Sequence, residues 1–338
     1  MNQGESKLKD TSIVPEHIFI VREWGSALGL NVELYKCLQE YYGKDKVIQI
    51  VVPNESNILD YILSKVVDHP PKTIWVDTRI FIVDARLRHL HKHLKEVSQL
   101  NFILNKLEIV PVCVMTDSLS APGYQLVGEL LVKNIGILIP LGANPRISGF
   151  SKNHQVLDVT NPISLETSDL LLAGSDRKSE DVYLGGLQYE PRRSFLLAVQ
   201  NKLQDVGLTS KITQKSSNSY LDYLKEISRY KIVVNTNFIV NSKSKHMVAR
   251  NIEALHAGSL LLTQRTSRLA KILSEGSHYV GIETPDDVVL KVIHYLKHEE
   301  EAREIAIRGQ ALAHSYAKEN YFVRLVDSKV QEIRRGKL

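Results

Sequence analysis

The sequence predicts an α/β protein with two domains, each built around a mostly parallel sheet. Its 338 residues are 43% hydrophobic and 24% charged, a globular composition on a chain long enough for two cores. Short apolar runs alternate with amphipathic stretches, as in repeated strand–helix units. The alternation is interrupted between residues 142 and 181, a segment rich in Asn, Ser, Pro and Gly, and we interpret this segment as a linker plus the opening of a second unit.

In the first half, apolar runs of strand length alternate with stretches of helical periodicity. Gly43 follows the first helical pattern, as a C-terminal glycine would, and Pro53 ends the second apolar run. The predicted strands are 17–21, 47–52, 73–76, 109–115 and 135–139, and the predicted helices are 31–42, 58–67, 84–104 and 124–132.

The same rhythm returns after residue 181 and continues to the end of the chain. The predicted strands are 182–186, 231–235, 260–263 and 278–282. The predicted helices are 193–206, 219–228, 249–257, a short one ending at 274, 285–298, 299–313 and 321–334. We therefore divide the chain into domains 1–145 and 146–318, followed by a terminal segment 319–338 that holds the last helix.

The formal net charge of +5 is concentrated in the second half, since residues up to Asn144 hold 15 basic and 16 acidic side chains. Excess positive charge suits an anionic ligand such as a diphosphate, although a solvated surface gives the same balance. The two cysteines, Cys37 and Cys113, fall in apolar patterns and are expected to be buried free thiols. A polar start and the lack of any long apolar run predict a cytoplasmic protein.

Several well-known chemical motifs are missing from the sequence. There is no G-x-G-x-x-G, no Walker-type loop and no G-x-S-x-G, which argues against dinucleotide binding, P-loop phosphoryl transfer and serine-hydrolase chemistry. There is also no C-x-x-C, H-E-x-x-H or D-x-D. We therefore expect neither a zinc site nor a metal-dependent sugar-nucleotide site of the Asp-x-Asp kind.

The first candidate site motif begins the second domain's alternation. Gly185 and Gly186 follow a predicted strand, and Arg192 and Arg193 stand at the start of the next helix. Backbone N–H groups, a positive helix end and a guanidinium could together bind a phosphate. A simple turn followed by a solvated helical turn is the alternative.

The second motif lies on the predicted helix 249–257. Arg250 and Glu253, three residues apart, share one face near the start of this helix. The carboxylate could accept both hydroxyls of a ribose while the arginine reaches a phosphate. A surface ion pair, worth less than about 1 kcal/mol, is the alternative.

These motifs are similar to those of nucleotide-sugar glycosyltransferases with two Rossmann-like domains, the GT-B type, and to their group-1-like and CgeB-like members. The resemblance covers about the last 155 residues, while only the strand–helix rhythm agrees in the first half. The carrying segments are 181–186 with Arg192-Arg193, then 231–235, 250–258, 261–263, 285–287, 295–301, 305–309 and 314–316.

The resemblance implies two Rossmann-like domains facing each other across a cleft, with the C-terminal helix crossing back onto the first domain. The second domain would bind the nucleotide-sugar donor and the first the acceptor, with no metal or other cofactor. Glu253 would bind the donor ribose, and Arg250 and Arg193 the diphosphate. Gly186, Arg192 and Lys245 complete the expected donor side.

One position departs from the family pattern. Retaining relatives often carry a second glutamate eight residues before the one that matches Glu253, and here that residue is Lys245. Whether the sugar's configuration is retained or inverted therefore stays open. Lys245 and Lys243 could add positive charge beside the phosphates or belong to a solvated basic loop.

Acceptor-side candidates follow the predicted strands of the first domain, because ligands of such sheets lie beyond the carboxyl ends of the strands. An inverting transferase needs a base for the acceptor hydroxyl; Asp117 is the first candidate and Glu23 the second. Either could instead cap a turn. The remaining acceptor-side candidates are Gly25, Asp77 and Arg79.

The helical pattern at 86–95 combines four Lys/Arg and three His with an apolar leucine face. These cations could simply be the solvent-exposed face of an ordinary helix. Alternatively, they could bind an anionic acceptor: a charged glycan, nucleic acid or the phospholipid surface at the inner face of the membrane.

The expected activity is transfer of a sugar, from UDP by default, to a hydroxyl of a glycan, lipid-linked or protein acceptor. Three alternatives stay open: transfer to modified DNA, sugar-nucleotide epimerisation, and nucleotide binding without catalysis.

Overall fold

The structure is a computed structural model that describes residues 14–23, 28–54, 56–81, 90–115, 122–141, 159–174, 178–185, 189–213, 219–238, 245 and 247–336. Within these residues it contains two separate five-stranded sheets, in which every strand pair is parallel. The predicted fold class, two α/β domains with parallel sheets, is confirmed.

The first sheet has the spatial order β2-β1-β3-β4-β5. Its strands are β1 (His17–Arg22), β2 (Val47–Val52), β3 (Thr73–Asp77), β4 (Val110–Met115) and β5 (Ile137–Pro140). The connecting helices are α1 (Gly29–Tyr42), α2 (Ile58–Val66), a 3-10 helix (Thr78–Phe81), α3 (Leu90–Lys106) and α4 (Pro122–Leu131).

The second sheet has the order β10-β9-β8-β6-β7. Its strands are β6 (Glu180–Gly185), β7 (Ser210–Thr213), β8 (Tyr230–Asn235), β9 (Leu260–Gln264) and β10 (Val280–Ile282). The helices are α5 (Leu165–Leu172), α6 (Arg192–Asp205), α7 (Tyr220–Ile227), α8 (Ala249–His256), α9 (Leu269–Ile272), α10 (Pro285–Lys297), α11 (Glu299–Lys318) and α12 (Tyr321–Arg334).

Local sequence accounts for many of these elements. The central strands are continuous apolar runs because both faces of a parallel sheet are covered by helices, and β1 and β4 are buried at every position. Side chains cap several of the described helix starts; for example, Asn57 accepts from the backbone N–H groups of Leu59 and Asp60 at α2, and Thr284 accepts from that of Asp287 at α10.

Each sheet separates two apolar clusters. On β1, Ile18 and Ile20 face the cluster beneath α2, α3 and α4, whereas Phe19 and Val21 face the cluster beneath α1. The last helix, α12, joins this second cluster through Phe322, Val323, Val326 and Val330. The chain thus returns from the second sheet to pack its final helix on the first.

The structure differs from the predicted elements in three places. The segment interpreted as a linker plus the opening of the second unit contains the helix α5, which was not predicted, and the short edge strand β7 was not predicted either. The helix predicted at 84–104 corresponds to α3, which the structure describes from Leu90 to Lys106, while residues 82–89 lie outside the described residues.

Two further observations concern the chain as a whole. Cys37 and Cys113 are free and buried, as predicted. In the part of the chain that the structure describes, no helix has both the length and the apolar character needed to cross a membrane.

Candidate functional site

The two sheets have the same strand order, in which the chain switches direction beside the first strand of each domain. In such sheets ligands bind outside the carboxyl ends of the strands at this switch point. In the second domain the switch lies between β6 and β8, which end at Gly185 and Asn235. The candidate site is therefore built around these two strand ends and the helix α8.

Glu253 lies on α8, is buried, and accepts two hydrogen bonds from phenols. The hydroxyl of Tyr220 donates to Oε1 over 2.8 Å and that of Tyr223 donates to Oε2 over 2.9 Å. Burial raises the pKa of both phenols well above the usual range, so the hydroxyls keep their protons and act as donors. Sequence reasoning did not assign a role to either tyrosine.

Arg250 stands one turn earlier on the same helix and belongs to the same network. Its Nε donates to the hydroxyl of Tyr223 over 2.8 Å, and its guanidinium lies 5.8 Å from the centre of that ring. The structure thus brings the predicted pair, Arg250 and Glu253, together through a phenol rather than through a direct ion pair.

Gly185 allows Arg250 to approach the end of β6. A Cβ atom at this position would lie 2.3 Å from Cε1 of Tyr183, and 2.9 and 3.0 Å from Cδ and Nε of Arg250, closer than such atoms normally come. The glycine is therefore needed for close approach between the strand end and the arginine. Its neighbour Gly186, also a predicted donor-site residue, lies outside the described residues.

A buried amide network holds the start of α8 against the strand ends. Asn251 accepts from Asn235 over 2.7 Å and donates to Asn237 over 3.0 Å. Asn237 in turn donates to the hydroxyl of Thr263 and to the carbonyl of Gln264. These side chains are fully buried, so the network fixes the helix that carries Arg250 and Glu253.

The remaining donor-side candidates take different positions. Arg192 is buried, and its guanidinium donates to the hydroxyl and the carbonyl of Thr236 over 2.9 and 2.8 Å. It therefore supports the segment after β8, a role that the sequence did not indicate. Arg193 and Lys245 are exposed, and Nζ of Lys245 lies 5.9 Å from the ring centre of Phe238.

The acceptor-side candidates lie at the carboxyl ends of β1 and β3. Glu23 follows β1 and is exposed, whereas Asp77 ends β3 and is buried. Arg79 belongs to the 3-10 helix that follows β3. Gly25 and the first candidate base, Asp117, lie outside the described residues, as does much of the basic segment 86–95.

Sequence reasoning missed Arg22, which organises the loops of the first domain. This buried arginine ends β1, and its Nε donates to the carbonyl of Ile80 over 2.9 Å. One terminal nitrogen donates to the carbonyls of Pro53, Asn54 and Ser56. The available signal was a cation at the end of an otherwise apolar strand, where water cannot easily solvate it.

Buried polar contacts join the two domains. Glu33 on α1 accepts from the backbone N–H and the hydroxyl of Ser164, both over 2.8 Å, and from the hydroxyl of Thr167 over 3.0 Å. Arg268 donates to the carbonyls of Pro140 and Val159. These contacts hold the carboxyl ends of the two sheets close to each other.

Tyr220 reaches the first domain through its ring. A Cβ atom at Gly29, the first residue of α1, would lie 2.5 Å from Cγ of Tyr220. The tyrosine that donates to Glu253 therefore packs directly on the start of α1. The candidate donor site faces the first domain at this point.

Within the described residues, the site combines the cation Arg250 and the buried carboxylate Glu253 on one short helix. Among the residues that the structure describes, no three His, Cys, Asp or Glu side chains are grouped so that they could hold a metal ion.

Comparison with known proteins agrees with this arrangement. Residues 171–322 match the model of the Glyco_trans_1_2 family, described as "Glycosyl transferase-like". This segment begins in α5, contains the second sheet and ends at the start of α12. A search of the curated proteins found no match.

Solved structures share the two-domain fold at low sequence identity. HepE of Anabaena, crystallised with UDP and glucose, has a TM-score of 0.57 and 13% identity, covering 92% of this chain and 99% of its own. A sucrose-phosphate synthase of Thermosynechococcus elongatus has a TM-score of 0.57 and 10% identity, covering 94% and 99%. A glycosyltransferase of Rickettsia africae has a TM-score of 0.55 and 10% identity, covering 94% and 98%.

The resemblance found in the sequence is thus supported by two independent comparisons, one of the second domain with a family and one of the fold. CgeB-like membership is not specifically supported. Residues 171–322 are thus similar to a glycosyl transferase-like family, and the two-domain fold of the chain is the GT-B fold of these solved structures.

Proposed function

We propose that the enzyme transfers a sugar from a UDP-sugar to an acceptor hydroxyl, with the donor bound by the second domain and the acceptor by the first. The observation that carries this proposal is the placement of Arg250 beside Gly185, at the switch point of the second sheet, with Glu253 one turn later on the same helix. HepE, whose crystal structures hold UDP, UDP-glucose or UDP with glucose, supports UDP as the nucleotide.

Each proposed donor contact follows from the chemistry of its side chain. Glu253 offers carboxylate oxygens to the two ribose hydroxyls. Arg250 and the start of α8 face the diphosphate, where a guanidinium and unpaired backbone N–H groups stabilise negative charge. Arg193 and Lys245 add exposed cations, and Gly186 stays a proposed donor-side residue.

In the transfer step the acceptor oxygen bonds to the anomeric carbon, and the bond from that carbon to the diphosphate breaks. The leaving UDP takes the bonding electrons, and the cations stabilise the charge that develops. In an inverting reaction the acceptor proton passes to a carboxylate, for which Asp117 and then Glu23 are the candidates. Asp77, Arg79 and Gly25 are the other residues that we propose for the acceptor side.

We place the acceptor among glycans, lipid-linked sugars and proteins, and we propose that transfer needs no metal ion. The positive charge that other transferases obtain from a bound metal would come here from side chains and from the start of α8. We also propose that the first domain ends near residue 145 and the second near residue 318.

Donor binding is tested by thermal unfolding in the presence of UDP, GDP, dTDP, ADP, CMP or NAD. A ligand at 100 times its dissociation constant adds about 2.7 kcal/mol of apparent stability. We expect UDP to stabilise the wild type and Glu253→Gln to lose most of this gain. The matched control is Glu304→Gln, whose side chain is 70% exposed on α11. Stabilisation by NAD alone, or by no nucleotide, would refute the proposed donor site.

Catalysis is tested by following a UDP-sugar by NMR with and without candidate acceptors. A transferase releases UDP slowly in water and faster when its acceptor is present. Conversion of the free donor into an epimer would show an epimerase instead. UDP binding without turnover under any acceptor would show a binding module.

A further inference from the structure

The buried carboxylate of Glu253 is held from two sides by side chains that sequence reasoning did not assign. Tyr220 donates to one carboxylate oxygen and Tyr223 to the other, over 2.8 and 2.9 Å. Both tyrosines come from α7, which precedes Glu253 by about 30 residues. The two rings are stacked with their centres 5.9 Å apart, so they lie side by side next to the carboxylate.

This arrangement leaves a definite capacity for further hydrogen bonds. A carboxylate has about four acceptor positions, two on each oxygen. Each phenol of the pair uses one position, which leaves one oxygen position on each side. Two adjacent hydroxyls of a ribose would need the same number, one acceptor position on each oxygen.

We propose that Tyr220 and Tyr223 are positioning residues that hold the carboxylate of Glu253 for the 2′ and 3′ hydroxyls of the donor ribose. The assignment rests on the proposed function, because it takes a nucleoside diphosphate as the ligand. Without the phenols, the buried carboxylate could rotate about its side-chain bonds, and ordering it on binding would cost conformational entropy.

Each tyrosine is itself fixed by a second contact. Tyr223 accepts from Nε of Arg250 over 2.8 Å, so one phenol links the ribose carboxylate to the cation proposed for the diphosphate. The ring of Tyr220 packs on Gly29 at the start of α1. The carboxylate is thereby oriented relative to both the phosphate side of the site and the first domain.

A competing explanation is that the two hydroxyls occupy the place of the ribose and must leave when the nucleotide binds. The two explanations predict opposite effects of removing a hydroxyl. If the phenols position Glu253, a phenylalanine in either place weakens nucleotide binding. If they compete with the ribose, the same change strengthens it.

The experiment compares Tyr220→Phe, Tyr223→Phe and Glu253→Gln with the wild type by isothermal titration calorimetry, using UDP and 2′-deoxy-UDP. Tyr295→Phe is the matched control. Tyr295 lies on α10 and lines a cavity with Lys178, Lys231 and Gly258. This cavity lies at the amino ends of β6, β8 and β9, whereas the proposed donor site lies at the carboxyl ends. Unfolding temperatures measured without ligand identify any variant that fails to fold.

We expect the wild type to prefer UDP over 2′-deoxy-UDP by 10-fold or more, since an unpaired hydrogen-bonding site rejects a ligand that lacks the hydroxyl. Each tyrosine variant should bind UDP about 5-fold more weakly and 2′-deoxy-UDP almost unchanged. Their preference for UDP should therefore fall towards 2-fold, whereas Tyr295→Phe keeps the wild-type values.

The outcomes separate this inference from the proposed function. Absence of UDP binding by the wild type would refute both. If Glu253→Gln weakens UDP binding but the tyrosine variants bind UDP as tightly as the wild type or more tightly, the positioning role is refuted alone. Equal losses for UDP and 2′-deoxy-UDP in a folded tyrosine variant would also refute it, because the effect would then not involve the ribose hydroxyl.

Discussion

Removal of the carboxylate of Glu33 should destabilise the protein, because this buried group joins the two domains. Glu33 is 2% exposed and accepts from three donors at the start of α5: the backbone N–H and hydroxyl of Ser164 and the hydroxyl of Thr167. In Glu33→Ala all three donors lose this partner at once.

The magnitude follows from what each donor can do afterwards. A hydroxyl can turn to another acceptor, but the backbone N–H of Ser164 cannot, and an unpaired buried donor costs about 1–3 kcal/mol. Together with the loss of a charge at a helix start, Glu33→Ala should lower the free energy of unfolding by about 3 kcal/mol. Urea unfolding followed by tryptophan fluorescence measures this loss.

The chain supplies a matched control on the same helix. Glu40 accepts from the backbone N–H groups of Leu165 and Glu166, also at the start of α5, but it is exposed. Water replaces those contacts, so Glu40→Ala should cost less than about 1 kcal/mol. Equal losses in the two variants would refute the reasoning that burial makes the Glu33 contacts strong.

Three further predictions concern pH and metal. Burial lowers the pKa of His256 to about 3, so between pH 6.5 and 3 this histidine is protonated in the unfolded chain but not in the folded one. Protonation therefore favours unfolding, and the wild type should lose about 1.4 kcal/mol of stability per pH unit below 6.5. Urea unfolding at pH 7.5 and 5 should show a smaller loss in His256→Gln; equal losses would contradict the prediction. Burial also lowers the pKa of Lys178 to about 7, so the stability of the wild type should rise between pH 7 and 10.5, whereas that of Lys178→Met should not show this rise. Thermal unfolding of both proteins at pH 7.5 and 9.5 measures the difference. An equal change in the two proteins would show that Lys178 does not contribute to the pH dependence. EDTA should leave the transfer rate unchanged, and a loss restored by Mg²⁺ or Mn²⁺ would disprove metal independence.

The fold was predictable because the central strands carry their own signal. Runs such as Val110–Met115 are apolar at almost every position, and a strand buried on both faces needs no partner-specific information to be recognised. Short elements at the edge of a sheet do not carry this apolar signal. The edge strand Ser210–Thr213 is mostly polar, so its sequence is not distinguishable from a loop.

The helix α5 was not predicted because its stabilising contacts are not local. It spans Leu165–Leu172, eight residues with a polar start, a length at which isolated helices are marginal. Its first backbone N–H groups are satisfied by Glu40, and the serine before them by Glu33, more than 120 residues earlier in the chain. No local pattern contains that contact.

The sequence by itself determined the two parallel-sheet domains and the pair Arg250 and Glu253 on one helical face, because hydrophobic period and helical spacing are local properties. Only the tertiary structure decided what surrounds that pair. It directs Arg192 to Thr236, sets Tyr220 and Tyr223 against the carboxylate, and packs Tyr220 on Gly29 of the other domain. Hydrogen bonds depend on distances of about 3 Å, and such distances between residues far apart in the chain exist only once both sheets and the contacts between them have formed.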